Sequence, residues 1–171
     1  MSIEERLRIL EDKEAIQEVF HRYVWLLDNR KWDEFTTLFC EDAKFICRPW
    51  GEWNGRKEIK DFQLKMFPPE RPSGRHMVTN AIIQISGDEA EAKSYFDSAS
   101  EREGRSMVVG GYYNDKLVKE ADGKWRFKER EISFDYNVPL DIGWGGLKGE
   151  ERIWGDAEGR VRPPADFEYR H

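Results

Sequence analysis

Three side chains in this sequence could together move a proton: Tyr23, Asp28 and His76. The tyrosine and the aspartate belong to the segment 21–39, and the histidine follows far downstream in Arg75-His76-Met-Val-Thr-Asn80. A compact fold can bring both segments to one cavity. A phenol, a carboxylate and an imidazole are sufficient for proton transfer without a metal or an organic cofactor.

Each of these side chains also has an ordinary structural interpretation. A strand histidine is more often exposed or hydrogen-bonded than catalytic, and a tyrosine on an apolar stripe is often a core residue whose hydroxyl satisfies the backbone. Asp28 could simply be a carboxylate at the end of a helix. Residue types alone therefore leave the structural and the catalytic interpretations open.

The N-terminal region is predicted to be helical. Residues 2–5, Ser-Ile-Glu-Glu, have the spacing of a capping box, and Asp12 is expected to cap a second helical segment. Asp28 falls in the last turn of that segment, and Asn29 is expected to be a left-handed C-cap. The apolar stripe of the segment, which places Tyr23 on the buried face, consists of Ile16, Phe20, Tyr23 and Leu27.

Further along, a short second helix and a short strand at 43–47 are expected, followed by a loop at 48–55 that carries two tryptophans and a third helix at 56–67. Prolines then close that helix. Four strands follow, at 76–86, 90–103, 106–119 and 124–136, separated by turns, which predicts an antiparallel meander. Helices first and strands last indicate an α+β domain with helices on one face of a curved sheet.

The length of 171 residues favours one domain, 1–136, with an extension, 137–171. We expect this extension to be an ordered lid or an oligomer interface, because it is not polar enough to be a disordered tail. Its apolar side chains are Ile142, Trp144, Ile153, Trp154 and Phe167.

Composition excludes several classes of protein. The net charge of −6 comes from interspersed charges, and no basic cluster alternates with aromatic residues, so a nucleic-acid partner is not expected. No apolar run approaches the roughly 20 residues needed to span a bilayer, and the charged N-terminus is unlike a signal peptide, so we expect a cytoplasmic protein.

Cys40 and Cys47 lack the spacing of a zinc site and are expected to be core thiols. The seven Trp, six Tyr and ten Phe favour an aromatic-lined pocket.

Several short motifs resemble one family when taken together. They are Tyr23-x4-Asp28-x3-Trp32-Asp33, Gly55-Arg56, His76-x3-Asn80, Ser86-Gly-Asp-x-Ala90, Gly111-Tyr-Tyr-x-Asp115 and Asp122-Gly-x-Trp125. Over residues 10 to 136 or so, the chain resembles SnoaL-like proteins of the nuclear transport factor 2-like superfamily. The resemblance is closest to the branch of scytalone dehydratase and the bile acid 7α-dehydratases.

This resemblance implies a cone-shaped α+β fold, in which N-terminal helices pack on the concave face of a curved mixed or antiparallel sheet. It also implies a catalytic role for Tyr23, Asp28 and His76, and a homodimer or homotrimer. In the implied mechanism, Asp28 fixes the imidazole tautomer, His76 is the acid and base, and Tyr23 stabilises an oxyanion.

The pattern departs from the family at two positions. Ser98 stands where bile acid dehydratases carry a further aspartate, and the position of a second histidine in scytalone dehydratase is not histidine here. Substrate-binding candidates are Arg75, Asn80, Ser98, Tyr112, Trp50 and Trp53. Cross-strand hydrogen bonding and core packing are the alternative roles for these residues.

The sequence therefore predicts a lyase without cofactor or metal, acting on a bulky hydroxylated aromatic or polycyclic molecule, most simply a dehydratase. A formaldehyde-releasing lyase of lignin-derived diarylpropanoids and an isomerase or epoxide hydrolase remain as alternatives. A non-catalytic small-molecule-binding protein is a further alternative on this fold.

Overall fold

A computed structural model describes residues 1–71, 74–156 and 160–163. Its first helix, α1 (Ile3–Asp28), begins at the predicted capping box. The Ser2 side chain accepts a hydrogen bond from the Glu5 backbone at 3.1 Å, and the Glu5 carboxylate accepts one from the Ser2 backbone at 2.6 Å. The predicted stripe of Ile16, Phe20, Tyr23 and Leu27 is buried, which confirms the orientation of the helix.

Two predicted details of α1 are wrong. Asp12 does not cap a second segment, since the helix continues through it. Its buried carboxylate instead accepts hydrogen bonds from the Lys119 ammonium at 2.8 Å and the Trp125 indole at 2.9 Å, which join the helix to the sheet. Asn29 is not left-handed, with φ of −92°, and Arg30 adopts the positive φ, +54°.

The remaining elements follow the predicted order. They are α2 (Trp32–Thr36), β1 (Phe39–Arg48), β2 (Gly51–Asn54), α3 (Gly55–Met66), β3 (Arg75–Ser86), β4 (Glu89–Arg102), β5 (Arg105–Lys119), β6 (Trp125–Pro139) and a 3₁₀ helix (Gly149–Arg152). The segment predicted to be a loop forms β2, which pairs with β1 in the register Phe45↔Trp53. The strand predicted at 43–47 is longer at both ends, since β1 runs from Phe39 to Arg48.

The six strands form one mixed sheet in the order β2-β1-β6-β5-β4-β3. The pair β1–β6 is parallel, and the other pairs are antiparallel. The predicted α+β fold and the meander of the four long strands are confirmed. Irregularities in register interrupt β3–β4 and β5–β6, and such bulges increase the local bend and twist of a sheet. The main core lies between the helices and the inner face of this sheet.

The segment after β6 packs against the sheet through a smaller apolar cluster. Trp154 is buried there with Val138 and Leu147. Trp144 stacks on Tyr136 with ring centroids 4.2 Å apart, whereas Phe167 lies outside the described residues.

Both cysteines are buried free thiols, as expected. Within the described residues, no helix combines the length and the apolar character needed to cross a membrane.

An arginine is completely buried at the centre of the main core. The Arg130 guanidinium donates two hydrogen bonds of 2.8 Å to Asp115, which is likewise buried. The rings of Tyr113, Phe127 and Tyr23 lie 3.9, 4.0 and 4.1 Å from its central carbon. A buried charge needs such partners, because an isolated ion is strongly disfavoured away from water.

Removal of Arg130 alone should therefore destabilise the protein more than removal of the pair. We expect Arg130→Met to lower the free energy of unfolding by about 3–5 kcal/mol, because the Asp115 carboxylate is left buried without its cation. The double variant Arg130→Met/Asp115→Leu should recover much of that loss. Urea denaturation monitored by tryptophan fluorescence measures both. Lys57→Met, which breaks an exposed pair with Asp61, is the control and should change stability little. Equal losses in the single and double variants would contradict this account.

Candidate active site

A carboxylate joins the end of α1 to the start of β3. The Asp28 Oδ1 lies 2.6 Å from the His76 Nδ1, and the Asp28 Oδ2 accepts a hydrogen bond from the His76 backbone at 2.9 Å. The two side chains are 18% and 12% exposed. Because both carboxylate oxygens are engaged by one residue, the imidazole is fixed in position and its Nδ1 carries the shared proton. The Nε2 remains as the nitrogen available for acid or base chemistry.

His76 lines an interior cavity of about 60 Å³ between the helices and the sheet. Phe and Trp side chains form a large part of its wall, namely Phe45, Trp50, Phe62, Phe67, Phe96 and Phe134. Its polar lining consists of Tyr23, Gln63, His76, Ser98, Arg102 and Tyr113. Larger hollows occur on the outer face of the sheet, but their lining is more polar and includes charged side chains such as Lys116 and Glu91. An apolar cavity with a few convergent polar groups is the usual form of a small-molecule site.

Tyr23 reaches this cavity from the buried face of α1. Its ring packs against Phe35 with centroids 5.0 Å apart and against Tyr113 at 5.9 Å. Burial raises the pKa of the Tyr23 phenol well above its ordinary value, although the nearby Arg130 opposes this shift. The hydroxyl therefore keeps its proton at neutral pH and can donate a hydrogen bond to an oxygen in the cavity.

The structure thus brings Tyr23 and His76 to one cavity, with Asp28 behind the histidine. Among the other candidates, Ser98 and Trp50 also line the cavity. Trp53 does not line it and instead stacks on Phe62 with centroids 3.7 Å apart.

Three candidates lie outside the cavity lining. Arg75 and Asn80 are exposed on β3, and Tyr112 is exposed on β5. Asn80 has a φ of +55° at the irregularity in the β3–β4 register, so it serves the backbone of a bulge. For Tyr112 the cause is strand alternation, which turns it outward opposite Tyr95 and turns its neighbour Tyr113 inward opposite Ser94.

Sequence reasoning missed three groups at the site: Tyr113, Arg102 and Arg130. Alternation along β4 could have identified Arg102, because it continues the buried series of Ser94, Phe96 and Ser98. Arg130 gave no comparable signal, since an isolated arginine in a strand ordinarily faces solvent.

The segment after β6 also contributes to the site. The Trp50 indole, which lines the cavity, donates a 3.0 Å hydrogen bond to the backbone oxygen of Gly155. Among the described residues, no group of three His, Cys, Asp or Glu side chains is arranged to hold a metal ion.

Comparisons with known proteins identify the family and the fold. A family model described as a SnoaL-like domain matches residues 8–131. An uncharacterized protein of Mycobacterium tuberculosis, Rv2910c, is 29% identical over 126 residues, which cover 71% of this chain and 84% of that protein.

Solved structures with the nuclear transport factor 2-like fold are similar in shape. A hexachlorocyclohexane dehydrochlorinase, LinA-type3 from Novosphingobium barchaimii, has a TM-score of 0.73 at 19% identity, covering 84% of this chain and 97% of its own. A candidate scytalone dehydratase from Novosphingobium aromaticivorans has a TM-score of 0.70 at 22% identity, covering 93% and 97%. At these identities the similarity establishes the fold.

The hydrogen bond to Asp28 predicts which tautomer of His76 is present. At a pH where the ring is neutral, ¹⁵N NMR should show a protonated Nδ1 and an unprotonated Nε2, because the carboxylate accepts from Nδ1. His76→Asn, which removes the signals, assigns them, and the exposed His21 supplies an internal reference for an unconstrained imidazole. In Asp28→Ala the preference for the Nδ1–H form should disappear. An Nε2–H tautomer in the unmodified protein would contradict the dyad.

Proposed function

Because the chain belongs to the SnoaL-like domain family, we propose that it is a cofactor-independent lyase acting on a bulky hydroxylated aromatic or polycyclic molecule. The observation that carries this proposal is the 2.6 Å contact between His76 and Asp28 at the wall of an aromatic cavity. Fold alone does not determine activity, so the argument depends on what these side chains can do.

Elimination of water is the simplest reaction for this site. The Nε2 of His76 removes a proton from an activated carbon, and the electrons of that C–H bond form a new C=C bond. The C–O bond to the leaving hydroxyl breaks, and the imidazolium returns its proton to that oxygen, which releases water. The substrate is converted into an unsaturated product plus water, and the histidine regains its starting state.

Asp28 and Tyr23 act at different stages of this reaction. The Asp28 carboxylate stabilises the imidazolium that forms when His76 accepts the proton. The Tyr23 phenol donates a hydrogen bond to a carbonyl or phenolic oxygen of the substrate, where negative charge develops as the carbon loses its proton. Such a donor is effective in a water-poor cavity, because its attraction to charge is weakly screened there.

Loss of hydrogen chloride, the reaction named for the dehydrochlorinase neighbour, differs from loss of water in the leaving group. The hydroxyl groups of Tyr23, Ser98 and Tyr113 in the cavity lining favour a hydroxylated substrate over a halogenated one. A screen of hydroxylated diaryl, polyketide and steroid compounds tests this choice. New conjugated absorbance indicates dehydration, and released formaldehyde indicates cleavage of a C–C bond.

Substitutions of the dyad test the mechanism on whichever compound reacts. His76→Ala should lower kcat by about 10²- to 10⁴-fold, because it removes the acid and base, whereas loss of a binding contact would chiefly raise KM. Asp28→Asn should also lower kcat. The double variant should lose less than the product of the two single effects, since the pair acts as a unit. Tyr23→Phe should lower kcat most for substrates without their own oxyanion stabiliser.

His21→Ala is the matched control, because this histidine is exposed on α1. It should leave kcat unchanged. Treatment with EDTA should also leave kcat unchanged, because the proposed reaction uses no metal. Near-normal kcat in His76→Ala would reject the histidine as catalyst. Saturable binding of the screened compounds without turnover would instead support a non-catalytic binding protein.

We propose that the protein is a homodimer or homotrimer in which the outer face of the sheet forms the subunit interface. This face exposes apolar side chains in neighbouring strands, namely Met77, Ile82, Tyr95 and Tyr112. Exposed apolar patches of this kind commonly mark protein interfaces.

Static light scattering at micromolar concentration should therefore give a mass two or three times that of the chain. The double variant Ile82→Lys/Tyr95→Lys should shift the protein toward the monomer, because it places charges within the interface. A control with Leu10→Lys, exposed on α1 away from the sheet, should not. A monomeric unmodified protein would contradict this expectation.

A further inference from the structure

Arg102 is a buried cation that the proposed reaction does not use. It ends β4, lines the cavity and is 7% exposed. Within the described part of the chain, its Nε and Nη1 have no hydrogen-bond partner. Unpaired donors on a buried charged group are costly, so their retention in the wall of a cavity indicates a partner other than the side chains of the described residues.

A second guanidinium adds to the positive charge at this end of the cavity. Arg71 is largely buried, its Nη2 lacks a hydrogen-bond partner in the described residues, and it repels Arg102 electrostatically. Burial, together with Arg71, lowers the pKa of Arg102 to about 9, so Arg102 is still a cation at neutral pH. Two like charges close to each other are stabilised by an anion between or beside them.

Neighbouring carboxylates are engaged elsewhere. Asp156 attracts Arg102, but its carboxylate also pairs with Arg160 at 2.7 Å and lies 3.5 Å from Arg162. The Glu101 carboxylate, which attracts Arg71, accepts a hydrogen bond from the backbone of Gly104 at 2.8 Å. Neither acid provides the hydrogen bonds that the Nε and Nη1 of Arg102 lack.

Asn137 supplies a further polar group beside Arg102. It is completely buried on β6, and both atoms of its side-chain amide lack a hydrogen-bond partner in the described residues. Gly155 lies directly over the two side chains, since a Cβ at this position would collide with both Arg102 and Asn137. The Arg102 and Asn137 side chains therefore lie close together beneath the Gly155 backbone, and the Arg102 guanidinium, which lines the cavity, is the group that can bind a carboxylate there.

We propose that Arg102, supported by Arg71 and Asn137, is a binding subsite for a carboxylate, and that the substrate of this protein is an aromatic acid. The inference rests on the proposed function for the reacting end of the molecule. His76 pairs with Ser98, and Arg102 lies four residues farther along β4, which is about 13 Å of extended strand.

This separation gives the two ends of the cavity different tasks. Aromatic side chains line the space between them, including Phe96, Phe134 and Trp50. The carboxylate is therefore separated by an apolar body from the carbon that loses its proton, and Arg102 positions the substrate without taking part in bond breaking. Binding energy from such a remote group can be used to orient the reacting carbon.

Benzoate and benzamide are suitable probes, because they are nearly identical in shape and differ in charge. Isothermal titration calorimetry with the unmodified protein should show benzoate binding at least about fivefold more tightly, since hydrogen bonds to a charged group exceed neutral ones by about 1 kcal/mol. Arg102→Met should abolish this preference while leaving the weak binding of benzamide unchanged. Arg102→Lys should retain part of it, and the control Arg6→Met, exposed on α1, should retain all of it.

Equal affinity for the two probes in the unmodified protein, or no binding of benzoate, would overturn the subsite. An undiminished preference for benzoate in Arg102→Met would do so as well. If Arg102→Met does not fold, the comparison of the two probes and Arg102→Lys still decide the question. His76→Ala separates this proposal from the proposed reaction, because it should lower kcat by about 10²- to 10⁴-fold while the preference for benzoate over benzamide persists. A failed search for lyase activity leaves the binding result standing.

Discussion

The burial of Arg130 is the constraint on which the arrangement of the cavity depends. A guanidinium without water needs both a counter-ion and polarisable surroundings, and Asp115 and three aromatic rings provide them. Two of these rings, Tyr23 and Tyr113, come from the first helix and from β5. The contacts that the Arg130 guanidinium requires therefore hold α1 against the sheet. They also set the depth at which the Tyr23 hydroxyl enters the cavity.

The Asp28–His76 contact is a second connection between the same helix and the far edge of the sheet. Asp28 ends α1, and His76 lies near the start of β3, the edge strand. Because the carboxylate binds both the backbone and the ring of His76, the imidazole cannot turn without breaking a contact that also holds the helix end. The same contact therefore holds the helix end and orients the imidazole, and this orientation is the preorganisation that the proposed proton transfer requires.

Local patterns predicted much of the fold, whereas contacts distant in sequence determined what was missed. The stripe through Tyr23 has a helical period that neighbouring residues alone determine, so its burial was predictable. Alternation shows that Tyr112 and Tyr113 face opposite sides of β5, but pairing with β4 decides which faces inward. The bulge at Asn80 likewise depends on a partner strand, and so its role could not be inferred from the spacing to His76.

The residues at the two ends of the cavity come from different parts of the chain. Tyr23, Asp28 and His76 all fall within residues 8–131, the part that the SnoaL-like family model matches. Asn137 and Gly155, which complete the surroundings of Arg102, lie beyond that part. In the functions proposed above, the shared fold supplies the acid–base groups, and the segment after β6 shapes the recognition of the remote end of the substrate. On this view, replacing the segment after β6 would change which molecules are accepted, whereas the proton-transfer step would stay with the helix and the edge strand.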